Sequence, residues 1–225
     1  MRIVIMGIFT VMSLCGYVAQ ASGAEPKTEE EKTLYALGLA ASRSFTSFNL
    51  SKADLELVQA GLTDGVLKRQ PKVDLQVYGP KLKEFQQTRF TALVANVKRS
   101  SQAYLSKAAA AKGSARTASG LVYTSIKKGG GATPKAADTV KVHYHGTLID
   151  GTVFDSSVQR GQPATFALNK VIACWTEGLQ RMRVGGKAKL VCPAELAYGE
   201  KGSPPTILPG SALVFEVELL DIVKQ

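Results

Sequence analysis

Val140, Val142 and Tyr144 alternate with Lys141, His143 and His145, the two-residue period of a half-buried strand. Gly146 is expected to end that run. Asp150-Gly151 marks a hairpin turn, because both residue types tolerate positive φ. Just past the turn, Phe154-Asp155 sets a ring beside a carboxylate. The same period recurs over Ser119–Lys127, where Leu121, Tyr123 and Ser125 alternate with Val122, Thr124 and Ile126. Further strands are expected over Ala164–Leu168, Lys187–Cys192 and Ala212–Ile222, the last with Leu213, Phe215, Val217 and Leu219 inward. A short helix is expected over Ile172–Met182. Gly129–Gly131 reads as a flexible turn, not a phosphate loop, since no Lys-Ser/Thr pair and no capped helix follow. Several strands, one short helix and no βαβ repeat indicate an antiparallel α+β domain.

The first half of the chain has a helical period instead. Glu25–Lys32 is polar and acidic and leads into a helix with glutamates at its positive end. Leu34, Tyr35, Leu37, Leu39 and Ala40 open an apolar pattern that runs to Phe48, with Gly38 inside it as a point of close helix contact. Asn49-Leu50-Ser51 breaks it, and Ser51 and Asp54 are candidate caps for the next helix. That helix carries Leu55, Val58, Leu62 and Val66 on one face and is expected to end at Gln70-Pro71. One long helix is then expected from Asp74 to Ala111, stopped by Gly113-Ser114. It has few neighbours to bury its apolar stripe and reads as a spacer. Three helices over so few residues make a poor independent core. Their apolar faces call for a partner, and a second copy of the chain supplies one.

Composition adds three points. Across 225 residues, Lys+Arg 28 against Asp+Glu 18 gives a formal charge of +10. The charges are scattered, with no dense basic run and no interleaved aromatic platform, so the pattern does not indicate nucleic-acid binding. At the N-terminus, Arg2, an apolar core from Ile3 to Leu14 and Ala19-Gln20-Ala21 have the layout of an export signal. Cleavage is expected after Ala21, with Ala24 as the alternative. The apolar run is shorter than the ~20 residues of a membrane-spanning helix, so no stable membrane insertion is expected. Cys15 does not read as a lipidation site, since Leu14 is larger than the small residue expected before one. Removing the leader leaves Cys174 and Cys192, an even count that suggests a bridge in an oxidising compartment.

Four separated stretches carry a resemblance: VHYHGTLIDGTVFDSS, VIACWTEGLQRMRVGGKAKL, PAELAYG and ALVFEVELL. In that order they resemble the FKBP family of peptidyl-prolyl cis-trans isomerases, over Ala118 to Gln225. YALGLAAS in the first half resembles the N-terminal segment of the macrophage infectivity potentiator and FkpA-like periplasmic subfamily. The resemblance implies an α+β fold. Its C-terminal part would be an antiparallel five-stranded half-barrel around a short helix. An all-α N-terminal dimerisation segment and a long linker helix would precede it. The expected organisation is a signal peptide over 1–21, a helical dimerisation domain over 25–73, a linker helix over 74–113 and an isomerase domain over 114–225.

By motif, the resemblance implies a catalytic pocket of Tyr144, Phe154, Asp155, Trp175, Tyr198 and Phe215. Arg160, Phe166, Val171, Ile172 and Ile207 would complete the substrate-binding surface. Trp175, the only tryptophan, would be the floor. Trp175, Phe154 and Phe215 would hold a proline ring, and the Tyr198 hydroxyl and the Ile172 N–H would donate to substrate carbonyls. Asp155 would either orient Tyr144 or face the rotating carbonyl, with Arg160 keeping it ionised. This chemistry needs no metal, cofactor or covalent nucleophile. His143 and His145 share a strand face but have no third ligand of suitable spacing. Ser156-Ser157 lacks a legible catalytic triad. Four positions depart from the commonest family pattern. Cys174 and Cys192 replace a frequent Gly and an aliphatic residue, and Ala164 replaces a frequent aromatic. Ser203 stands where some members carry His, on a flap from Glu200 to Pro209. The implied partners are proline-containing unfolded or exported proteins, macrolide inhibitors and a second copy of the chain. The expected location is the periplasm, with outer-membrane association also compatible. The alternative is a holdase chaperone or binding module whose pocket is not catalytic.

Overall fold

The structure is a computed structural model that describes residues 25–223. The expected export leader and its cleavage site lie outside the described residues. The chain divides into two compact units, one ending at Ser42 and the other running from Arg43 onward.

In the first unit, helix α1 (Glu29–Ser42) begins with a reciprocal cap. The Glu31 N–H donates to Thr28 Oγ1 at 3.1 Å, and the Glu31 carboxylate accepts from the N–H groups of Lys27 and Thr28 at 2.7 and 2.9 Å. Glu29, Glu30 and Glu31 occupy the positive end of the helix dipole. None of its residues is buried, and Leu34, Tyr35, Leu37 and Leu39 are each more than half exposed.

The second unit opens with a 3-10 helix, Arg43–Phe48, so the apolar pattern up to Phe48 is not one continuous α-helix. Helix α2 (Lys52–Val66) is capped as its sequence suggests. The Asp54 N–H donates to Ser51 Oγ at 3.2 Å, and the Ser51 N–H donates to Asp54 at 2.9 Å. Arg89 also reaches Asp54, at 2.8 Å. This hydrogen bond, with those from Ser51, holds the Asp54 carboxyl well below the usual carboxylate range. The helix ends before Pro71, because Lys68 takes a left-handed conformation (φ 52°) and the Arg69 N–H folds back to the Asp64 carbonyl at 2.8 Å.

The single long helix expected from Asp74 is two helices. Asp74 caps a one-turn helix, α3 (Leu75–Tyr78), and α4 begins afresh at Lys81 and runs to Ala109. Pro80 has no N–H to donate to the preceding turn, so the ladder stops and restarts there. α4 is also more than a spacer. Its first turns meet the 3-10 helix through Phe85 and Phe48, with ring centroids 6.3 Å apart. Its last turns lie on the sheet, where Leu105 is buried against Val122, Val191, Ala212 and Val214. Ser101, also buried, accepts the Ala212 N–H at 2.9 Å.

The strands are β1 (Ser114–Arg116), β2 (Val122–Lys127), β3 (Thr139–Leu148), β4 (Val153–Ser156), β5 (Ala164–Ala167), β6 (Lys187–Cys192) and β7 (Leu213–Val223). They form one antiparallel sheet in the order β1-β2-β6-β7-β3-β4, with β5 also on β3. β4 and β5 occupy successive parts of one edge of β3: β5 pairs with Thr139–Val142, and β4 with His145–Thr147. The seven strands therefore fill five long rows plus the three-residue β1. Alternation along β7 sends Leu213, Phe215, Val217 and Leu219 to the inner face and Val214 to the face covered by α4.

The inner face wraps helix α5 (Ala173–Leu179), which continues to Met182 as tight turns. Gly178 lets helix and sheet approach closely, since a Cβ there would lie 2.7 Å from Leu190 Cδ1. Cys174 and Cys192 are both fully buried and disulfide-bonded, with their Cα atoms 5.7 Å apart, so the first turn of α5 is tied to the end of β6. The glycine run before β3 is no loose turn. A Cβ on Gly129 would lie 2.2 Å from the Arg183 carbonyl, so this backbone is pressed against the turn after α5. Among the described residues, no helix is long and apolar enough to cross a membrane.

Candidate active site

The mouth of the half-barrel opens into a hollow of about 380 Å³ at the N-terminal end of α5. The alternation of β3 and β7 aims Tyr144 and Phe215 inward, β4 and β5 supply Phe154 and Phe166, and α5 supplies Trp175. Trp175 is the floor, only 4% exposed. It meets Tyr144, Phe215 and Phe166 edge-on, at centroid distances of 5.1, 5.3 and 5.5 Å. Phe154 and Phe215 stand edge-to-face at 5.4 Å. Such contacts fix ring positions as well as burying area. The Trp175 Nε1–H is buried with no partner among the described residues.

One wall is polar. The Tyr144 hydroxyl donates to Asp155 Oδ2, and Arg160 binds both Asp155 Oδ1 and, at 2.9 Å, the Tyr144 oxygen. Burial pushes the Asp155 carboxyl up, but the hydrogen bonds from Tyr144 and Arg160 and the Arg160 charge outweigh it, leaving it below the usual carboxylate range. Burial and the neighbouring carboxylate raise the Tyr144 phenol, so this hydroxyl stays protonated as a donor. At the rim, Val171 and Ile172 line the entrance. Ile172 is the N-cap residue of α5, so its N–H lies outside the helix ladder. Tyr198 projects from the loop after a 3-10 turn (Ala194–Leu196) and is 41% exposed.

Two parts of the chain match described families. Residues 130–220 match "FKBP-type peptidyl-prolyl cis-trans isomerase", and residues 30–124 match "Domain amino terminal to FKBP-type peptidyl-prolyl isomerase". The FKBP-type isomerase FkpA of Aeromonas hydrophila is 44% identical over 219 residues, covering 92% of this chain and 81% of the relative. The isomerase Mip of Coxiella burnetii is 35% identical over the full length of both chains. This chain belongs to the FKBP-type peptidyl-prolyl cis-trans isomerases. Its fold agrees with that membership. The crystal structure of FkpA from Escherichia coli, 38% identical, covers 88% of this chain and 98% of its own length with a TM-score of 0.64.

Most of the residues named from the sequence motifs lie at this hollow, and two lie behind it. Tyr144, Phe154, Asp155, Phe166, Val171, Ile172, Trp175, Tyr198 and Phe215 all line the hollow. Arg160 stands behind Asp155 and Tyr144, and Ile207 is buried in the core that backs the hollow. Ile207 belongs to the flap, where Ser203 and Ile207 exchange backbone hydrogen bonds at 2.7 and 3.0 Å. From α4, Lys98 pairs with Glu200 at the base of the flap, at 2.6 Å.

Two site residues were missed by sequence reasoning. Lys170 lines the rim, and nothing in its sequence context marks it. Gly146 does not end β3. It stays in the strand, paired with Asp155 and Phe215, and a Cβ there would lie 2.8 Å from Phe154 Cζ and 3.0 Å from Phe215 Cε1. Its lack of a side chain is what lets the two rings meet. A glycine amid strand alternation was the available signal. His143 and His145 are half-buried, and each Nδ1 is engaged by a serine hydroxyl, of Ser157 at 3.1 Å and of Ser156 at 3.0 Å. Ser157 also accepts the Tyr144 N–H at 2.7 Å, so this serine supports the strand that carries Tyr144.

Proposed function

We propose that this isomerase speeds X-Pro rotation in exported proteins by stabilising the twisted amide in an apolar hollow. Rotation about a peptide bond meets a barrier of about 18–20 kcal/mol, because the planar amide is resonance-stabilised. At proline the two isomers differ by only about 0.5–1 kcal/mol, yet exchange takes tens to hundreds of seconds. The half-rotated amide has lost resonance. Its carbonyl is less polarised and depends less on water. A dry, ring-walled site therefore binds it better than the planar form, and that difference is the catalysis. The observation that carries the reading is the Trp175 floor enclosed by Tyr144, Phe166 and Phe215, with a hydrogen-bonded Asp155 confined to one wall.

In this reading Trp175, Phe154 and Phe215 seat the proline ring, while Tyr198 and the Ile172 N–H donate to substrate carbonyls. Asp155 holds the Tyr144 hydroxyl with Arg160 as its counter-charge, and Phe166, Val171 and Ile207 shape the pocket for proline substrates and macrolide inhibitors. The leader over 1–21 sends the chain to the periplasm, where the Cys174–Cys192 bridge is stable. Residues 25–73 join two copies, 74–113 link them to the catalytic domain, and 114–225 carry the reaction. The test is proline-peptide isomerisation by the wild type beside Asp155→Ala and Tyr198→Phe, with and without a macrolide inhibitor. Both variants are expected to lose activity. Absence of catalysis by the wild type sinks the reading.

A second reading, a holdase function in the helical half, is favoured by the exposed apolar residues of α1 and α2. The two activities separate on truncation. The cut must fall before Ser101 and Leu105, since a chain starting at Ala115 strips the cover from Val122, Val191 and Val214. A chain starting at Thr91 is expected to isomerise peptides but not to suppress aggregation.

A further inference from the structure

At the end of α5 away from the ring-walled hollow lies a second hollow, of about 450 Å³. It is bordered by the end of β2, the glycine run and the turn after α5. Lys127, Lys128, Arg181 and Arg183 line it together with the Tyr123 ring, and no carboxylate does. Of these four, only Arg181 has an acidic partner among the described residues, Glu177 at 3.2 Å. Lys127, Lys128 and Arg183 have none within salt-bridge distance. The helix dipole accounts for arginines just past the C-terminus of α5. It does not account for the two lysines, which arrive from β2.

What brings the two basic segments together is backbone contact. A Cβ on Gly129 would lie 2.2 Å from the Arg183 carbonyl, and one on Gly186 would lie 3.0 Å from the Gly129 nitrogen and 3.2 Å from the Lys127 carbonyl. The Gly131 N–H donates to the Val184 carbonyl at 3.1 Å, and the Val184 N–H to the Ala132 carbonyl at 3.0 Å. The cationic side chains thus stand on a frame fixed before any ligand arrives. Like charges held together this way repel, and an anion seated among them removes that repulsion. Two guanidinium forks and two ammonium groups match the oxygens of phosphate better than those of a single carboxylate. The volume exceeds that of one small ion and suits a group carrying more than one phosphate.

We propose that this hollow is a binding site for multiply charged phosphate groups, separate from the isomerase site. Its ligand is either a soluble polyphosphate or a phosphorylated lipid headgroup. The test uses the full chain and inorganic tripolyphosphate, titrated by calorimetry at 150 mM salt. Saturable binding with one site per chain is expected. Lys128→Gln with Arg183→Gln is expected to weaken it at least tenfold and leave peptide isomerisation unchanged. Lys83→Gln with Lys107→Gln, which removes the same charge from α4, serves as control and is expected to bind as the wild type does. No saturable binding overturns the proposal, and so does equal weakening by the two pairs, which would mean attraction to the overall +10 charge. Vesicles with and without phosphatidylinositol 4,5-bisphosphate identify the source. Tripolyphosphate-sensitive binding to the acidic vesicles supports the site with a headgroup as ligand, and no vesicle binding beside tight tripolyphosphate binding supports it with a soluble one.

Discussion

At the residue scale, the polar wall and the ring contacts lead to separate expectations. The folded-state value of Asp155 lies below its ordinary value, so the folded chain takes up this proton less readily than the unfolded chain does. Asp155 therefore favours folding at pH above about 4, the usual aspartate range, and that contribution fades as pH falls through the lowered folded value. The stability difference between wild type and Asp155→Asn, measured by urea unfolding, is expected to be largest at neutral pH and to shrink below pH ~4. A difference constant down to pH ~2.5 contradicts the ion-paired wall. Gly146 yields a geometric expectation. In Gly146→Ala the new methyl must displace Phe154 or Phe215. Misplacing groups around a reacting centre by about 1 Å costs on the order of 100-fold in rate. A ten- to hundred-fold fall in kcat/KM is expected, with a stability loss of about 1–3 kcal/mol from overpacking. Unchanged kcat/KM would mean that the ring contact does not shape catalysis.

At the element scale, α5 has seven residues, too few to be stable alone, and it carries the floor of the site. Close approach at Gly178 and the Cys174–Cys192 bond hold it on the sheet. Closing a loop with a sequence separation of 18 stabilises a fold by about 3 kcal/mol on chain-entropy grounds. Cys174→Ala with Cys192→Ala is expected to lower the unfolding free energy by that order, and thiol titration of the unreduced wild type to find neither cysteine free. Two free thiols remove this account of α5.

Elements were legible where one face is wet. The alternation in β3 and β7 gave strand identity and inward residues from the sequence alone. The helical half was read less fully at its joints. Pro80 divides α3 from α4 and lies six residues after Asp74, past the first turn of the expected helix, so this break was legible in the sequence and went unread. The burial of Leu105 depends on the outer face of a sheet formed by residues far along the chain, which no local period encodes. The site was legible as residue types and motif order. Its geometry was not, because what Gly146 and Lys170 contribute depends on where the fold places them.

At the scale of the whole molecule, the two halves differ in how they satisfy their apolar residues. The sheet buries both faces, one against α5 and the other against α4. α1 and α2 bury no residue at all, and isolated helices of their length, 14 and 15 residues, are marginal in water. Burying a large aliphatic side chain is worth about 1.5–3 kcal/mol, so the exposed leucines are a substantial driving force for association. The proposed pairing of two copies through residues 25–73 follows from that imbalance. Sedimentation equilibrium at micromolar concentration is expected to find two chains per particle. Leu34→Glu with Leu37→Glu is expected to give single chains, weaker helical circular dichroism and at least a several-fold loss in aggregation suppression. Isomerisation of short peptides is expected to stay within about twofold, since neither leucine lines the ring-walled hollow. A wild type that sediments as a single chain with its N-terminal helices intact contradicts the pairing. A paired-to-single change that also abolishes peptide catalysis would mean that the hollow depends on the second copy.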